Sequence, residues 1–379
     1  QFLKMKNSLL STLFLLLATH MSCAQENHPP LIETPTEVDY TYETIVDGID
    51  IPWGLAFIAE NDFLVTEKTG TLYRVIDGNK TAVNGLPELY VRGQGGLLDV
   101  ALHPNFKENN TLYFTLGMHL EGEEEGGNTA LYCAQINGTE LSEVKMLYKA
   151  VPNTKKGQHW GSRIAFDQEG HLYFSVGDRG NRDENPQDIT RDGGKIYRLN
   201  LDGSIPNDNP FMGNDAAKTA VFSYGHRNPQ GMTVQPKTGQ VWVNEHGPMG
   251  GDEINRIVGG KNFGWPVITF GINYSGTPIT DITAKEGMEQ PFYYWVPSIG
   301  PSGMTFSTSG VYKDWQDNLF VGSLKFEYLE RLVIKRDKVV KREKVLDKIG
   351  RVRNVIEGPD GFLYVAVEGK GILKIVPKA

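Results

Sequence analysis

The chain has 379 residues, enough to bury a sizeable core, and its formal net charge is −8, with 38 Lys+Arg against 46 Asp+Glu. That balance argues against phosphate-backbone binding as the main business, so no nucleic-acid partner is expected, although a local basic pocket is not excluded. The two cysteines, Cys23 and Cys133, leave little room for a disulfide framework.

The first segment reads as a targeting signal. Lys4 and Lys6 precede an apolar run from Leu9 to Ala18, followed by Ser22, Cys23 and Ala24. This is the charged, greasy, cleavable order of a secretory signal peptide, and the run is too short to span a bilayer. Residues 1–24 are therefore expected to be removed by cleavage before Gln25. A lipid-modified Cys23 is the competing reading, but His20 sits where such signals usually carry Leu. Residues 25–40, with their Pro, Thr and Glu, read as a tether, and export to a bacterial periplasm is expected. With Cys23 removed or acylated, Cys133 is alone and no internal disulfide can form.

From residue 41 to 379 helical periodicity is almost absent and alternation dominates. A loose unit recurs: an apolar pair, a turn with Asp, Asn or Gly, then a strand such as L-Y-F or V-W-V. It is found at residues 52–75, 95–117, 161–180, 229–247, 302–325 and 352–369. Each unit supplies two antiparallel strands closed by a Gly-rich turn, with alternate side chains buried. A β-sandwich would explain the strands but not the repeat. Radial repetition explains both, so the chain is expected to be all-β, a six-bladed β-propeller, which leaves few unprotected sheet edges.

The unusual polar residues lie at the edges of these units: Gln94, His159, Arg163, Asp178, Arg227, Asn228, Gly247, Pro248, Asp252, Glu253, Lys325, Arg351 and Arg353. Blade edges that point to one face would bring them together. Arg227, Lys325, Arg351 and Arg353 come from three units, and Arg351 and Arg353, two apart, face the same way in a strand. Such cations repel unless an anion with several negative groups sits among them, which calls for a polycarboxylate or polyphosphate. No nucleotide-binding spacing is present, which favours the carboxylate. Pro248 forces a turn that exposes backbone carbonyls, and Asp252 and Glu253 add hard oxygens, a calcium-type donor set rather than a zinc one. An ordinary solvated turn would read the same way. His159, in "GQHWGSRI", suits a general base, with Asp178 placed to orient it; a structural histidine is the plainer alternative. His226 and His246 receive no chemistry of their own. The aromatics between residues 262 and 300 are read equally well as a stacking surface for a ring-shaped ligand or as core.

In order along the chain, "GQGGLLDVALHPNF", "HWGSRIAF", "GHLYFSVGDRG", "GHRNPQGM", "EHGPMGGDEIN", "NFGWP", "PSIGPSGM", "VGSLK" and "RVRNVIEGPDG" resemble the soluble pyrroloquinoline quinone (PQQ)-dependent sugar dehydrogenases, the glucose/sorbosone and aldose sugar dehydrogenase group. The likeness runs from about Pro52 to Val376. It implies a six-bladed propeller with PQQ, a tricarboxylate, held in a cleft with Ca²⁺. It implies oxidation of an aldose at the anomeric carbon to a lactone, electrons then passing to an unidentified acceptor. By motif position His159 matches the base and Arg227 the residue that polarises the quinone. Asn228, Gln94, Ser298, Lys325, Arg351 and Arg353 match cofactor-holding residues. Backbone oxygens of Gly247 and Pro248 match the catalytic calcium ligands; Asp252 and Glu253 match ligands of a further, structural calcium. Phe263 stands where the glucose enzymes have a Tyr that gives a backbone carbonyl to a metal, and Ser298 replaces a Thr. Gln158 stands where they have Asp, a departure from close similarity to them; the compact loops fit the broader aldose subgroup better than the dimeric glucose enzymes, and a monomer is expected. Two other classes stay open: a calcium-dependent lactonase or esterase propeller, and a non-catalytic propeller that binds a glycan or protein.

Overall fold

A computed structural model describes residues 31–32 and 40–378. The segment read as a signal peptide and most of the tether lie outside the described residues. Within the tether stretch, Leu31–Ile32 pairs in parallel with the strand Lys338–Val345.

Six antiparallel sheets of four strands each, one carrying the extra Leu31–Ile32 strand, follow one another along the chain. Their innermost strands are Pro52–Ala59, Leu97–Leu102, Ile164–Phe166, Pro229–Val234, Pro301–Phe306 and Val352–Glu357. Each packs against the next, and the sixth packs against the first, so they close a ring. This is a six-bladed β-propeller. The ring is completed within blade 6, where the early strand Tyr40–Val46 pairs with the last one, Gly371–Pro377.

Alternation along the strands separates two neighbouring blades rather than core from solvent. In the second strand of blade 4, Val241–Glu245, every residue is buried. Val241 and Val243 pack toward blade 3 with Tyr173 and Ile196, whereas Trp242 packs toward blade 5 with Met304 and Leu319. Blade 3 does the same: Leu172 and Phe174 face blade 2, and Tyr173 faces blade 4. The period of two survives because successive side chains leave opposite faces of a sheet, and both faces are covered. The expectation of alternate burial is corrected to this extent. Each buried Leu, Phe or Trp contributes about 1.5–3 kcal/mol, so the six interblade seams carry most of the hydrophobic stabilisation.

Inner strands crowd at the axis. A Cβ on Gly231 would stand 2.3 Å from the Ser302 carbonyl, and one on Gly303 would stand 2.0 Å from Asn354 Oδ1. Only a hydrogen fits there, hence the Gly-Met steps of blades 4 and 5. Arg163 occupies the axis itself. Its guanidinium donates to the carbonyls of Gln230 (2.7 Å), Trp53 (3.3 Å) and Arg353 (2.8 Å) and to Asp99 Oδ1 (3.2 Å). One buried side chain thus pins blades 1, 2, 4 and 6 to blade 3, with its charge offset by Asp99.

Candidate active site

Each blade runs from the axis outward, so the segments that enter the innermost strands, and those that leave the second strands, share one face. Gln94, His159, Arg227, Asn228, Ser298 and Arg351 precede innermost strands, and Arg353 lies near the start of one. Asp178, Gly247, Pro248 and Lys325 follow second strands. Contacts between blades 2, 3 and 4 bring the first of these together. The His159 backbone N–H donates to Gln94 Oε1 at 2.8 Å, the Asp178 N–H to the Arg227 carbonyl at 2.8 Å, and the Gly161 N–H to Asn228 Oδ1 at 3.2 Å.

A cavity of about 610 Å³ opens on this face, lined by Gln94, His159, Asp178, Arg227, Pro248 and Trp265 among others. Asp178, almost wholly buried, lies with Oδ1 2.7 Å from His159 Nδ1. Its other oxygen accepts the Trp265 indole N–H at 2.9 Å. Burial pushes the Asp178 carboxyl up, but the hydrogen bond to His159, the charges of His159 and Arg227, and the Gly180 amide outweigh it and hold it low. Asp178 is therefore a carboxylate, Nδ1 of His159 carries the proton, and Nε2 keeps its lone pair. Burial also pushes the His159 pKa below the ordinary histidine value, aided by Arg227 and Arg179 and opposed by Asp178. The imidazole is neutral at pH 7 and able to accept a proton.

Opposite the base, Arg227 is fixed at three points. Its backbone N–H donates to Glu245 Oε2 at 2.6 Å, and Nη1 donates to the carbonyls of His246 (3.0 Å) and Gly247 (2.8 Å). The guanidinium lies 5.3 Å over Trp265. Behind it, Ser223 Oγ lies 2.9 Å from His226 Nε2, and His226 Nδ1 lies 2.9 Å from Glu245 Oε1. The order imitates a nucleophilic triad, but all three residues are buried, so the group braces Arg227 rather than attacking a substrate. His246 gives its Nε2 proton to the Pro301 carbonyl at 2.7 Å, and burial, with Arg227 next, pushes it down to about 3.

On the calcium-type side, Asp252 Oδ1 accepts the Gly247 N–H at 2.7 Å, and Oδ2 accepts those of Ile299 (2.7 Å) and Gly300 (2.9 Å). In this structure Asp252 therefore shapes the turn that presents the Gly247 and Pro248 carbonyls. Ser298 Oγ accepts the Gly250 N–H at 3.0 Å and donates to the Pro248 carbonyl at 3.4 Å. Glu253 stands opposite Glu245 on paired strands, with the Asn255 amide shared between them at 3.1 and 2.9 Å. Burial, then the Glu245 charge, push Glu253 up to about 8. Two facing acidic side chains, Glu245 buried and Glu253 partly so, with one neutral donor between them are a donor set that a hard cation relieves. Phe263 stacks on His226 at 4.7 Å beside this pair.

The remaining cations gather along the same rim but outside the cavity wall. Arg351 Nη1 donates to the Leu324 carbonyl at 2.9 Å, next to the exposed Lys325. Arg353 Nη1 reaches Gln230 Oε1 at 3.4 Å, whose amide touches Asn228 Oδ1 at 3.3 Å. Sequence reasoning missed Glu368, which lies 2.6 Å from Arg351 Nε and 2.5 Å from Arg353 Nη2. The Arg351–Arg353 repulsion is thus partly offset within the chain, a correction to the requirement for an external anion. Room for an anion persists all the same. Among the described residues, Arg227 Nε and Asn228 Nδ2 are buried without a hydrogen-bond partner, and Lys325 lies 5.2 Å from the Phe326 ring. Donors without acceptors beside a polar cavity that Arg227 lines fit a planar, oxygen-rich, multiply anionic ligand. The aromatics of residues 262–300 divide: Trp265 and Tyr274 line the cavity, while Tyr293 and Trp295 are core.

The chain matches the Glucose / Sorbosone dehydrogenase family over residues 49–374. It is 38% identical over 346 residues, 89% of this chain and 92% of the relative, to aldose sugar dehydrogenase YliI of Escherichia coli (strain K12). It is 27% identical over 419 residues, 88% of this chain and 86% of the relative, to quinoprotein glucose dehydrogenase B of Acinetobacter calcoaceticus. Among solved structures it resembles the apo-form of the soluble Escherichia coli aldose sugar dehydrogenase, with a TM-score of 0.85 and 36% identity over 89% of this chain and 100% of that one. The PQQ-bound form of aldose sugar dehydrogenase from Streptomyces coelicolor gives a TM-score of 0.72 and 25% identity, over 91% of this chain and 100% of that one. Matched over most of its length, and in its fold, the chain belongs to the Glucose / Sorbosone dehydrogenase family.

Proposed function

We propose that this chain is a PQQ-dependent aldose sugar dehydrogenase that oxidises the anomeric carbon of an aldose to a lactone. One observation carries the reading: a neutral His159, oriented by the Asp178 carboxylate, shares a cavity with the positive Arg227, whose Nε has no hydrogen-bond partner among the described residues. When bound, the quinone supplies the two-electron acceptor for the anomeric hydride, and calcium supplies a Lewis acid that withdraws charge from it.

The chain's own residues do the rest. His159 Nε2 takes the proton of the anomeric hydroxyl, and Asp178 stabilises the imidazolium that forms. Arg227 holds positive charge where the acceptor gains negative charge, and its three fixed contacts keep it from reorganising. Gln94 and Asn228, with Ser298, Lys325, Arg351 and Arg353 on the surrounding rim, would hold the quinone. The carbonyls of Gly247 and Pro248 would hold its calcium, while Asp252, Glu253 and the Phe263 carbonyl would serve a second, structural ion. Export to a periplasm, a monomeric state and an external electron acceptor belong to the same reading.

Reconstitution of the apoprotein with PQQ and Ca²⁺, followed by dye-linked oxidation of a panel of aldoses, tests it. Reduction of the dye with at least one aldose is expected. No reduction with any sugar, together with no quinone absorbance retained on the protein, overturns the proposal.

A further inference from the structure

Lys195 opens the third strand of blade 3, Lys195–Asn200, and its side chain is completely buried. Its ammonium donates to three backbone carbonyls: Asn185 at 2.5 Å, Gly193 at 2.7 Å and Pro186 at 3.3 Å. None of these partners is a carboxylate. The charged groups around it are Asp192, Asp188 and Asp178 on one side of the balance and Arg191 on the other. Burial pushes its pKa down to about 7, so an ammonium here is costly, and the three carbonyls, matched to its three protons, offset that cost.

The carbonyls belong to the loop at 177–194, which has turns but no strand or helix of its own. This loop carries Asp178 and much of one cavity wall, including Arg182 and Asp183. Asn185 and Pro186 sit on its middle, Gly193 on its returning limb, and Lys195 at its root. From Asn185 the connection runs on, because its Nδ2 donates to the Asp178 carbonyl at 3.0 Å. A continuous path therefore joins Lys195 to Asn185, Asn185 to Asp178, and Asp178 to His159 Nδ1.

We propose that Lys195 is a positioning residue of the active centre, an internal cation that ties the two limbs of the 177–194 loop and so fixes Asp178 against His159. It occupies the place a bound metal ion often takes, collecting backbone oxygens of a structureless loop. The proposal rests on the assignment of His159 as the base. Without the tie, the buried carbonyls of Asn185 and Gly193 lose their charged donor, the loop loosens, and the His159 ring gains solvent.

The test is histidine NMR titration of the folded apoprotein, the His159 resonance identified by its loss in His159→Gln. In Lys195→Met and Asn185→Ala the His159 titration is expected to move up toward the ordinary histidine value by about half a pH unit or more, because burial is the largest influence on it and its relief outweighs the weakened Asp178 contact, which alone would move it down. Quinone retained on reconstitution should stay within roughly twofold of wild type while kcat falls about tenfold. A wild-type His159 titration in folded Lys195→Met overturns the proposal. Should that variant not fold, a wild-type titration in Asn185→Ala does so instead. Failure of the loaded wild-type protein to oxidise any aldose would sink the dehydrogenase reading, and the NMR shift would still decide Lys195.

Discussion

Asp178 accepts the Trp265 indole N–H at 2.9 Å, so the carboxylate that orients the base on blade 3 is itself held by an aromatic from blade 4. With His159 Nδ1 and the Gly180 N–H on its other oxygen, three donors aim at one buried group. An amide offers a single acceptor oxygen and cannot serve them all. Asp178→Asn is therefore expected to lower kcat by about 10²–10⁴-fold while the protein still retains quinone, measured by absorbance after desalting. His159→Gln should fall in the same range. Wild-type turnover in either variant removes that residue from the mechanism.

The pH profile carries a defined sign. The competent form of His159 is the neutral ring, so activity is full above its pKa and lost as pH falls through it. Burial holds that pKa low, which places the acid limb of kcat/KM below about 6.5. Asp178 raises the pKa through its hydrogen bond and charge, so the residual activity of Asp178→Asn should show an acid limb at still lower pH. A limb that moves upward contradicts the assignment.

Glu368 bridges Arg351 and Arg353. In Glu368→Gln a mostly buried Arg353 loses its neutralising partner, and the quinone-free protein should lose about 1–3 kcal/mol of stability by urea denaturation. An anionic ligand replaces part of that charge, so the rise in Tm on adding PQQ with Ca²⁺ should exceed the wild-type rise. An equal or smaller rise separates these arginines from the cofactor.

Tyr274 is 75% exposed yet lines the cavity, next to Asn273, which accepts a hydrogen bond from Arg182 Nη1 at 2.7 Å. An aromatic at the lip offers its face to the C–H side of a sugar ring. Tyr274→Ala is expected to raise KM for aldoses several-fold, about 0.5–1.5 kcal/mol of binding, with kcat little changed. Steady-state kinetics on two sugars check it, and an unaltered KM for both refutes the role.

Much of this was legible in the sequence because the repeating unit and the entry points to each blade are local patterns. The six two-strand units fall on the first and second strands of the six blades. What escaped notice is what depends on pairing across the fold. Glu368 reads as a turn acid in "VEGKG", and Lys195, after two glycines, reads as a solvated strand start. Neither betrays its partners, which lie 15 or more residues away for Glu368 and on a folded-back loop for Lys195. The two-sided burial of the second strands was hidden for a related reason: alternation looks the same whether the second face meets water or another blade.

The pairing of Tyr40–Val46 with Gly371–Pro377 has a consequence for how the catalytic face comes into being. The clasp of the ring needs both ends of the chain, so a nascent polypeptide short of its last strand has an open arc rather than a circle. Blades 2 to 4 line the cavity and blades 5 and 6 carry its outer rim, so the full face cannot assemble until that strand is in place. Conversely, joining the two ends by a short linker and reopening the chain between two blades should preserve the circle, since the clasp would then be covalent.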